Sequence, residues 1–282
     1  MPLLELFALA ALWGASFLFM RVASAPFGPV TLIMLRVSLA SLALLPALRR
    51  PAARRALRSH WRPLAVVGLS NSAIPFTLFA YSTLHIGAGL DSILNATTPL
   101  WAALVLRAGY GGRLGRSQIA GLLLGLLGVA VLVGTQLQMA SSAAAAAALG
   151  ATLCYGFAVN YARRHLAGVP PYAVALGSQA WAAALLFVPG LALWPAQPPG
   201  ALAWGCAAGL ALLCTALAYV LYFRLIAHAG ATFAASVTFL IPLFGVLWAA
   251  LFLGERVTPG MLGGGVVVLV AIGLISRAPR AG

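Results

Sequence analysis

HIGAGLDSILNATTPL, residues 85–100, returns 143 positions later as HAGATFAASVTFLIPL, residues 228–243. The same offset carries the whole of residues 63–135 onto a later block without a gap, so that Gly111, for example, is matched by Gly254. A period this long indicates that one structural unit occurs twice in the chain. The sequence therefore predicts two related halves.

Composition places both halves in a lipid bilayer. Hydrophobic residues make up 63% of the 282 positions, charged residues 7%, and the mean hydropathy is +1.03. Because charged residues make up about a quarter of a soluble domain, a water-soluble fold is excluded. A membrane span needs about 20 apolar residues. Ten such segments are predicted, at residues 3–24, 29–48, 63–85, 89–106, 117–135, 143–162, 172–194, 200–226, 231–253 and 259–276.

The predicted fold is therefore an all-α integral membrane protein. Its ten transmembrane helices form two inverted five-helix repeats, residues 1–140 and residues 141–282, around a central cavity. Because five is an odd number, the second repeat begins on the opposite side of the membrane from the first. Inverted repeats of this kind are typical of transporters whose binding site lies between the halves. Alternatively, the duplication reflects ancestry alone, without functional symmetry.

The basic residues predict the orientation. All 17 are arginines, and most of them lie in connections on one side of the membrane. These arginines are Arg49, Arg50, Arg54, Arg55, Arg58, Arg62, Arg107, Arg113, Arg116, Arg163, Arg164, Arg224, Arg277 and Arg280. The positive-inside rule then places both termini in the cytoplasm. Since lysine is absent and alanine and leucine are abundant, we expect a multi-pass protein of a bacterial inner membrane.

Several motifs resemble those of a known family. They are the opening Trp13-Gly14-Ala15-Ser16-Phe17, Leu35-Arg36, the mid-span Pro99 and Pro242, and the closing Leu253-Gly254-Glu255-Arg256-Val257-Thr258. Together they resemble the EamA family of the drug/metabolite transporter superfamily over the whole chain, and most of all its YddG-type amino-acid exporters. The first repeat departs from the pattern, because Gly112 stands where the second repeat has Glu255.

This resemblance implies a secondary transporter that exports amino acids, aromatic and other neutral ones favoured, or related small metabolites by alternating access. Exporters of other metabolites or of cationic drugs in the same superfamily are the alternative. A membrane-embedded enzyme acting on a lipid-linked substrate is disfavoured, because the chain has three carboxylates and no H-x-x-x-H or D-x-x-D pattern. We predict no enzymatic activity, cofactor, metal or nucleic-acid partner. The expected partners are a small-molecule substrate and anionic lipids beside the cytoplasmic arginines, and the expected state is a monomer.

The two mid-span prolines predict hinges. A proline removes one hydrogen-bond donor and frees the carbonyl four residues earlier, here that of Asn95 for Pro99 and that of Thr238 for Pro242. We expect two kinked, partly unwound helices that present these polar groups to the substrate. Alternatively, Asn95 and Thr238 only satisfy the backbone at their own kinks.

Aromatic and hydroxyl side chains recur at helical spacing on several spans. A cavity lined by them suits a molecule that is part apolar and part zwitterionic, although packing in the protein interior gives the same pattern. The predicted substrate-binding residues are Trp13, Ser16, Phe76, Asn95, Trp101, Tyr155, Tyr219 and Thr238.

Charged and titratable residues inside the spans are few. Arg36 lies roughly 10 Å into the second span, where an unpaired charge is costly. We expect Arg36 to be a structural anchor on Asp91, on Glu255 or on outer-side carbonyls, with a substrate carboxylate as the alternative partner. His85 and His228 occupy matched span ends. They are possible proton carriers or, alternatively, hydrated helix ends.

Overall fold

The computed structural model describes residues 2–111, 115–134, 139–230, 233–234 and 236–276, and every regular element within these ranges is helical. The first half contains α1 (Pro2–Phe27), α2 (Pro29–Leu44), α3 (Pro51–Ser59), α4 (Trp61–Gly68), α5 (Ile74–His85), α6 (Ala88–Asn95), α7 (Thr98–Tyr110) and α8 (Arg116–Gly134). The second half contains α9 (Met139–His165), α10 (Pro171–Ala192), α11 (Ala201–Ala211), α12 (Ala218–Ala229), α13 (Val237–Leu253) and α14 (Pro259–Ser276).

Six described helical stretches are long and apolar enough to cross a membrane. They are Pro2–Phe27, Pro29–Arg49, Trp61–His85, Ser142–His165, Pro171–Ala192 and Ala201–Ala229. Two shorter apolar helices follow, Val237–Leu253 and Pro259–Ala271. The predicted all-helical membrane fold is confirmed at this level.

Two π-helical turns occupy matched positions. Leu69–Ala73 joins α4 to α5, and Leu212–Leu217 joins α11 to α12, with starting residues 143 positions apart. A π-helical turn places an extra residue in the helix and is frequent at functional sites. The third and the eighth predicted spans are therefore each one helix interrupted at the same place.

Helix packing repeats when the two halves are exchanged. Helix α1 packs against α11, α12 and α13 of the second half, and its counterpart α9 packs against α5, α6 and α7 of the first half. The second helices of the halves, α2 and α10, pack against each other, and so do the last helices, α8 and α14. Most of the large interfaces thus join one half to the other.

Glycines in the opening motif let the helices of different halves approach closely. A β-carbon on Gly14 would lie 2.8 Å from the backbone nitrogen of Gly245, and one on Gly156 would lie 2.7 Å from that of Ala102. The repeat matches both members of these pairs. Small residues allow such close contact between membrane helices, which explains why a glycine follows the aromatic residue in each half.

The helix breaks at one of the two predicted hinges. Helix α6 ends at Asn95 and α7 begins at Thr98, so the break directly precedes Pro99. The hydroxyls of Thr97 and Thr98 donate to backbone carbonyls at 2.7 and 2.8 Å and thus compete with the helical hydrogen bonds.

In the second half, the turn lies at Ser236, and α13 then runs without interruption from Val237 through Pro242. The turn is thus six residues before Pro242, whereas in the first half the break directly precedes Pro99. Apolar Leu240 and Ile241 stand where the first half has Thr97 and Thr98. Without those hydroxyls, the proline alone does not end the helix.

Candidate functional site

Arg36 is buried at the middle of α2, with 4% of its surface exposed. Its Nε donates a hydrogen bond of 2.9 Å to the hydroxyl of Thr215, which lies in the second π-helical turn. Nη1 lies 3.9 Å from the sulfur of Met20, and the guanidinium lies over the Phe76 ring at 3.7 Å from its centroid. The charge is thus held by a hydroxyl, a thioether and an aromatic face.

No described carboxylate or backbone carbonyl accepts a hydrogen bond from Arg36, so the expectation of an anchor on Asp91, Glu255 or outer carbonyls is wrong. Both acids are engaged at the start of α6. Asp91 is fully buried and accepts a 2.8 Å hydrogen bond from Ser82. Glu255 accepts hydrogen bonds from the backbone N–H groups of Ala88 at 2.8 Å and Gly89 at 3.1 Å.

Gln179 is the counterpart of Arg36 in the second half, 143 positions later on α10. Its Nε2 donates a 2.8 Å hydrogen bond to the hydroxyl of Ser72 in the first π-helical turn, and Ser72 is the counterpart of Thr215. The two hydrogen bonds are therefore equivalent, and each crosses from one half to the other. Gln179 was not among the predicted residues, although its offset from Arg36 and its place within an apolar span were a usable signal.

Six residues form one group, which we call the central polar cluster: Arg36, Asn71, Ser72, Gln179, Thr215 and Tyr219. Four of them are buried, and Asn71 and Tyr219 are half-buried. The Asn71 amide nitrogen lies 3.4 Å from the Tyr219 hydroxyl and donates to it, which links the first π-helical turn to the start of α12. Phe76 lies one turn beyond Ser72, directly against the guanidinium. Since burying polar groups is costly unless they are hydrogen-bonded, such a cluster at the interface of the halves indicates a site.

Aromatic rings adjoin the cluster in matched pairs. Trp13 contacts Tyr222 with ring centroids 5.4 Å apart, and Tyr155 contacts Phe79 at 6.0 Å. Tyr155 also meets Phe76 edge-on at 6.4 Å. The structure thus brings Trp13, Phe76 and Tyr155 of the predicted set close to the cluster, while Tyr222 and Phe79 were not in that set.

Ser16 lies beside the same region. Its hydroxyl is buried next to the Cys214 thiol and makes no hydrogen bond of normal geometry among the described residues. Ser16 and Cys214 belong to α1 and to the second π-helical turn. The predicted role of Ser16 near the substrate is compatible with this position.

The other predicted binding residues lie on α7, on α13 and at the break before α7. The Asn95 carbonyl accepts a 2.8 Å hydrogen bond from the Thr98 hydroxyl, so the helix break satisfies it locally. Trp101 packs its backbone against Gly156. Thr238 lies half-buried in the first turn of α13.

Both predicted proton carriers are exposed at helix ends. His85 is the last residue of α5 and packs against the Tyr81 ring with centroids 5.0 Å apart. His228 lies in the last turn of α12. Neither is a member of the central polar cluster, which favours the interpretation as hydrated helix ends.

At the level of the central polar cluster, the guanidinium of Arg36 rests directly on the Phe76 ring. One pocket among the described residues lies instead at the junction of α2 and α3. It is lined by Leu42, Leu45, Pro46, Leu48, Arg49 and Arg54. This pocket is open to the surface and does not lie between the halves.

Known proteins resemble the chain over its whole length. The sequence profile of the EamA-like transporter family matches residues 2–134 and 142–277. A probable terminal-alkyne amino-acid exporter of Streptantibioticus cattleyicolor is 27% identical over 276 residues, 94% of this chain and 90% of the relative. The uncharacterized transporter YvbV of Bacillus subtilis is 25% identical over 287 residues, 97% of this chain and 90% of the relative.

A solved crystal structure shares the fold. Its TM-score is 0.66 at 18% identity, and the match covers 100% of this chain and 99% of that one. The resemblance inferred from the motifs is thus confirmed at the level of the family. The family and the names of the relatives point to a transporter rather than to an enzyme.

Proposed function

Because the chain belongs to the EamA-like transporter family, we propose that it exports amino acids, with aromatic and other neutral ones favoured, across a bacterial inner membrane. The observation that carries this proposal is the central polar cluster, which combines one guanidinium, amides, hydroxyls and adjoining aromatic rings at the interface of the halves. Such a lining suits a small zwitterion with an apolar side chain. The relative named as a probable amino-acid exporter supports the same substrate class.

The mechanism we propose is alternating access by two inverted five-helix repeats, residues 1–140 and 141–282. It is supported by the packing that recurs when the halves are exchanged. It is also supported by the equivalent hydrogen bonds of Arg36 and Gln179, which both cross the interface. Rocking of one half against the other around a fixed central site then exposes that site to each side in turn.

Contacts between helix ends support a ten-span path with both termini on the same side of the membrane, and the placement of the arginines is the reason for proposing that this side is the cytoplasm. In such a path, the start of α2 and the end of α10 lie on the outer side. The starts of α1 and α8 and the ends of α12 and α14 lie on the inner side. Three contacts join these ends, namely Thr31 with Gly190 at 2.9 Å, Glu5 with Arg224 at 2.8 Å and Ser117 with Leu274 at 2.8 Å.

Cationic drugs and phosphorylated metabolites fit the site less well. A drug cation on the Tyr155 ring would lie close to the buried charge of Arg36 and be repelled by it. A phosphate group would call for several cations, whereas the described members of the cluster provide Arg36 alone. We therefore retain these substrates only as the alternative. We also propose that the protein works as a monomer.

Competition uptake tests the substrate class. Purified protein in proteoliposomes takes up a labelled neutral amino acid while each member of an amino-acid panel competes. We expect aromatic and other neutral amino acids to compete best, and protein-free liposomes to show no saturable uptake. If cationic dyes compete and no amino acid does, the proposal is overturned in favour of the drug-exporter alternative.

A further inference from the structure

We propose that Arg36 binds the carboxylate of a zwitterionic amino acid and that the carboxamide oxygen of Gln179 accepts a hydrogen bond from its ammonium group. This inference rests on the proposed function and adds to it the orientation of the bound substrate.

The first argument is the lack of a counter-ion for Arg36. A guanidinium has five N–H donors, yet Nε alone donates to an oxygen, and the nearest partner of Nη1 is a sulfur at 3.9 Å. Nη2 makes no hydrogen bond to the described residues. Phe76 covers one face at 3.7 Å but supplies no anion. A buried charge is costly unless it is paired, so a bound carboxylate is the partner that this arrangement lacks.

The second argument is an acceptor without a donor on Gln179. The side chain is fully buried, and its Nε2 is occupied by the hydrogen bond to Ser72. Its Oε1 is buried and has no hydrogen-bond partner among the described residues. An ammonium group carries three donors and no acceptor, so it complements this oxygen.

The third argument is the spacing of the two groups. Gln179 binds Ser72, and Arg36 covers Phe76, which is four residues and therefore about 6 Å further along the same helix. The carboxylate and ammonium of an α-amino acid are adjacent, and each hydrogen bond adds about 3 Å. An amino acid with one hydrogen bond at each end is therefore long enough to cover this separation of Ser72 and Phe76 along the helix.

The difference between the two matched side chains also gives the site a direction. Arg36 and Gln179 occupy equivalent positions in the two halves, but Arg36 carries a charge and Gln179 is neutral. A zwitterion accordingly has one favourable orientation between the halves, with its side chain free to contact the adjoining rings of Tyr155 and Phe79.

The test compares three probes in proteoliposomes: L-phenylalanine, its carboxamide L-phenylalaninamide, and phenethylamine, which lacks the carboxylate altogether. For the wild-type protein, we expect L-phenylalanine to compete for uptake about tenfold better than the other two, because a charge-assisted pair is lost with the carboxylate. Arg36→Gln should bring the three probes to nearly equal potency, and Arg36→Lys should retain part of the preference.

Arg21→Gln is the matched control, because Arg21 lies on α1 and donates to the backbone carbonyl of Thr83 on α5. It should leave the preference intact. Gln179→Leu tests the other end, since 3-phenylpropionate should then compete nearly as well as L-phenylalanine.

Two results overturn the assignment while leaving the proposed function in place. One is a wild-type protein that takes up L-phenylalanine and its carboxamide equally well, a measurement that needs no variant to fold. The other is an Arg36→Gln protein in which L-phenylalanine and its carboxamide lose the same factor in potency as competitors. A purely structural arginine would have that effect. A wild-type protein that transports no amino acid at all ends the proposed function and this inference together.

Discussion

At the residue scale, one close approach between the halves depends on the absence of a side chain. A methyl group on Gly156 would meet the Ala102 nitrogen at 2.7 Å and the Trp101 carbonyl carbon at 2.8 Å, both of them backbone atoms that cannot rotate away. Gly156→Ala should therefore separate α9 from α7 and cost about 1–3 kcal/mol of stability, as overpacking does. Thermal unfolding of the detergent-solubilised protein measures the loss.

The control for this substitution is Gly205→Ala on α11. A β-carbon there has no atom within 4 Å, so the midpoint of unfolding should stay within error of wild type or rise slightly. Equal midpoints for Gly156→Ala and the wild type would mean that the two helices are not in contact as described.

The sequence predicted the positions of some site residues but not their contacts. The offset of 143 correctly matched Phe76 with Tyr219, and the interior position of Arg36 followed from its place within a span. Its partner did not follow, because Thr215 approaches Arg36 only through the crossing of α2 over a π-helical turn. Hydrophobic periodicity encodes neither that crossing nor the extra residue in the turn. Gln179, in contrast, was predictable from its offset of 143 to Arg36.

At the element scale, Glu255 of the second half stabilises the start of α6 in the first half. Its carboxylate accepts from the first two helical N–H groups, those of Ala88 and Gly89, which have no partner within the helix. Glu255→Ala should lower the stability by about 0.5–2 kcal/mol, the range for loss of a helix cap. Glu255→Gln should lose less, since one amide oxygen still accepts. Thermal unfolding compares both variants.

Arg256→Gln serves as the matched control for the Glu255 variants. Arg256 is the exposed neighbour, and its replacement should leave the unfolding midpoint unchanged. An effect of Arg256→Gln as large as that of Glu255→Ala would assign the loss to the loop rather than to the cap.

Helix α3 is an amphipathic element between two spans. Ala53 and Ala56 are buried, while Arg54, Arg55 and Arg58 are exposed. Anionic lipid attracts each such arginine by about 1 kcal/mol. The triple variant to glutamine should therefore lose most of the thermal stabilisation that phosphatidylglycerol gives relative to phosphatidylcholine.

Salt distinguishes this electrostatic effect from packing, because high ionic strength screens exposed charges. High salt should reduce the response of the wild-type protein to phosphatidylglycerol and leave that of the triple variant unchanged. A triple variant that still responds as the wild type does would remove α3 from the lipid contact.

The two mid-span prolines show how well helix breaks could be predicted from the sequence. The break at Pro99 was predicted, but the continuity of α13 through Pro242 was not. The difference lies in Thr97 and Thr98, whose hydroxyls compete for backbone carbonyls, and in the apolar residues that replace them. A proline signal alone did not separate the two cases.

At the scale of the whole molecule, the positions of the titratable residues predict which of them can couple transport to a proton gradient. His85 and His228 are exposed at helix ends, away from the buried interface of the halves. The double variant His85→Gln/His228→Gln should therefore keep the wild-type ratio of uptake with and without a pH gradient. Flux measurements in proteoliposomes give this ratio directly.

Asp91→Asn is the informative comparison, because Asp91 is fully buried and its Oδ2 has no hydrogen-bond partner among the described residues. A gradient response that vanishes in Asp91→Asn and persists in the histidine variant would place the proton path at α6. Loss of the response in the histidine variant would contradict the expectation and assign proton transfer to the helix ends.

The π-helical turns also carry information about history. A residue inserted into a helix at the same place in both halves is most simply explained as a single event in an ancestral five-helix protein, before its gene was duplicated and fused. That ancestor would have worked as a pair of identical, oppositely oriented subunits with the same side chain at both matched positions. The divergence into Arg36 and Gln179 would then be a later specialisation, available only after the two copies shared one chain.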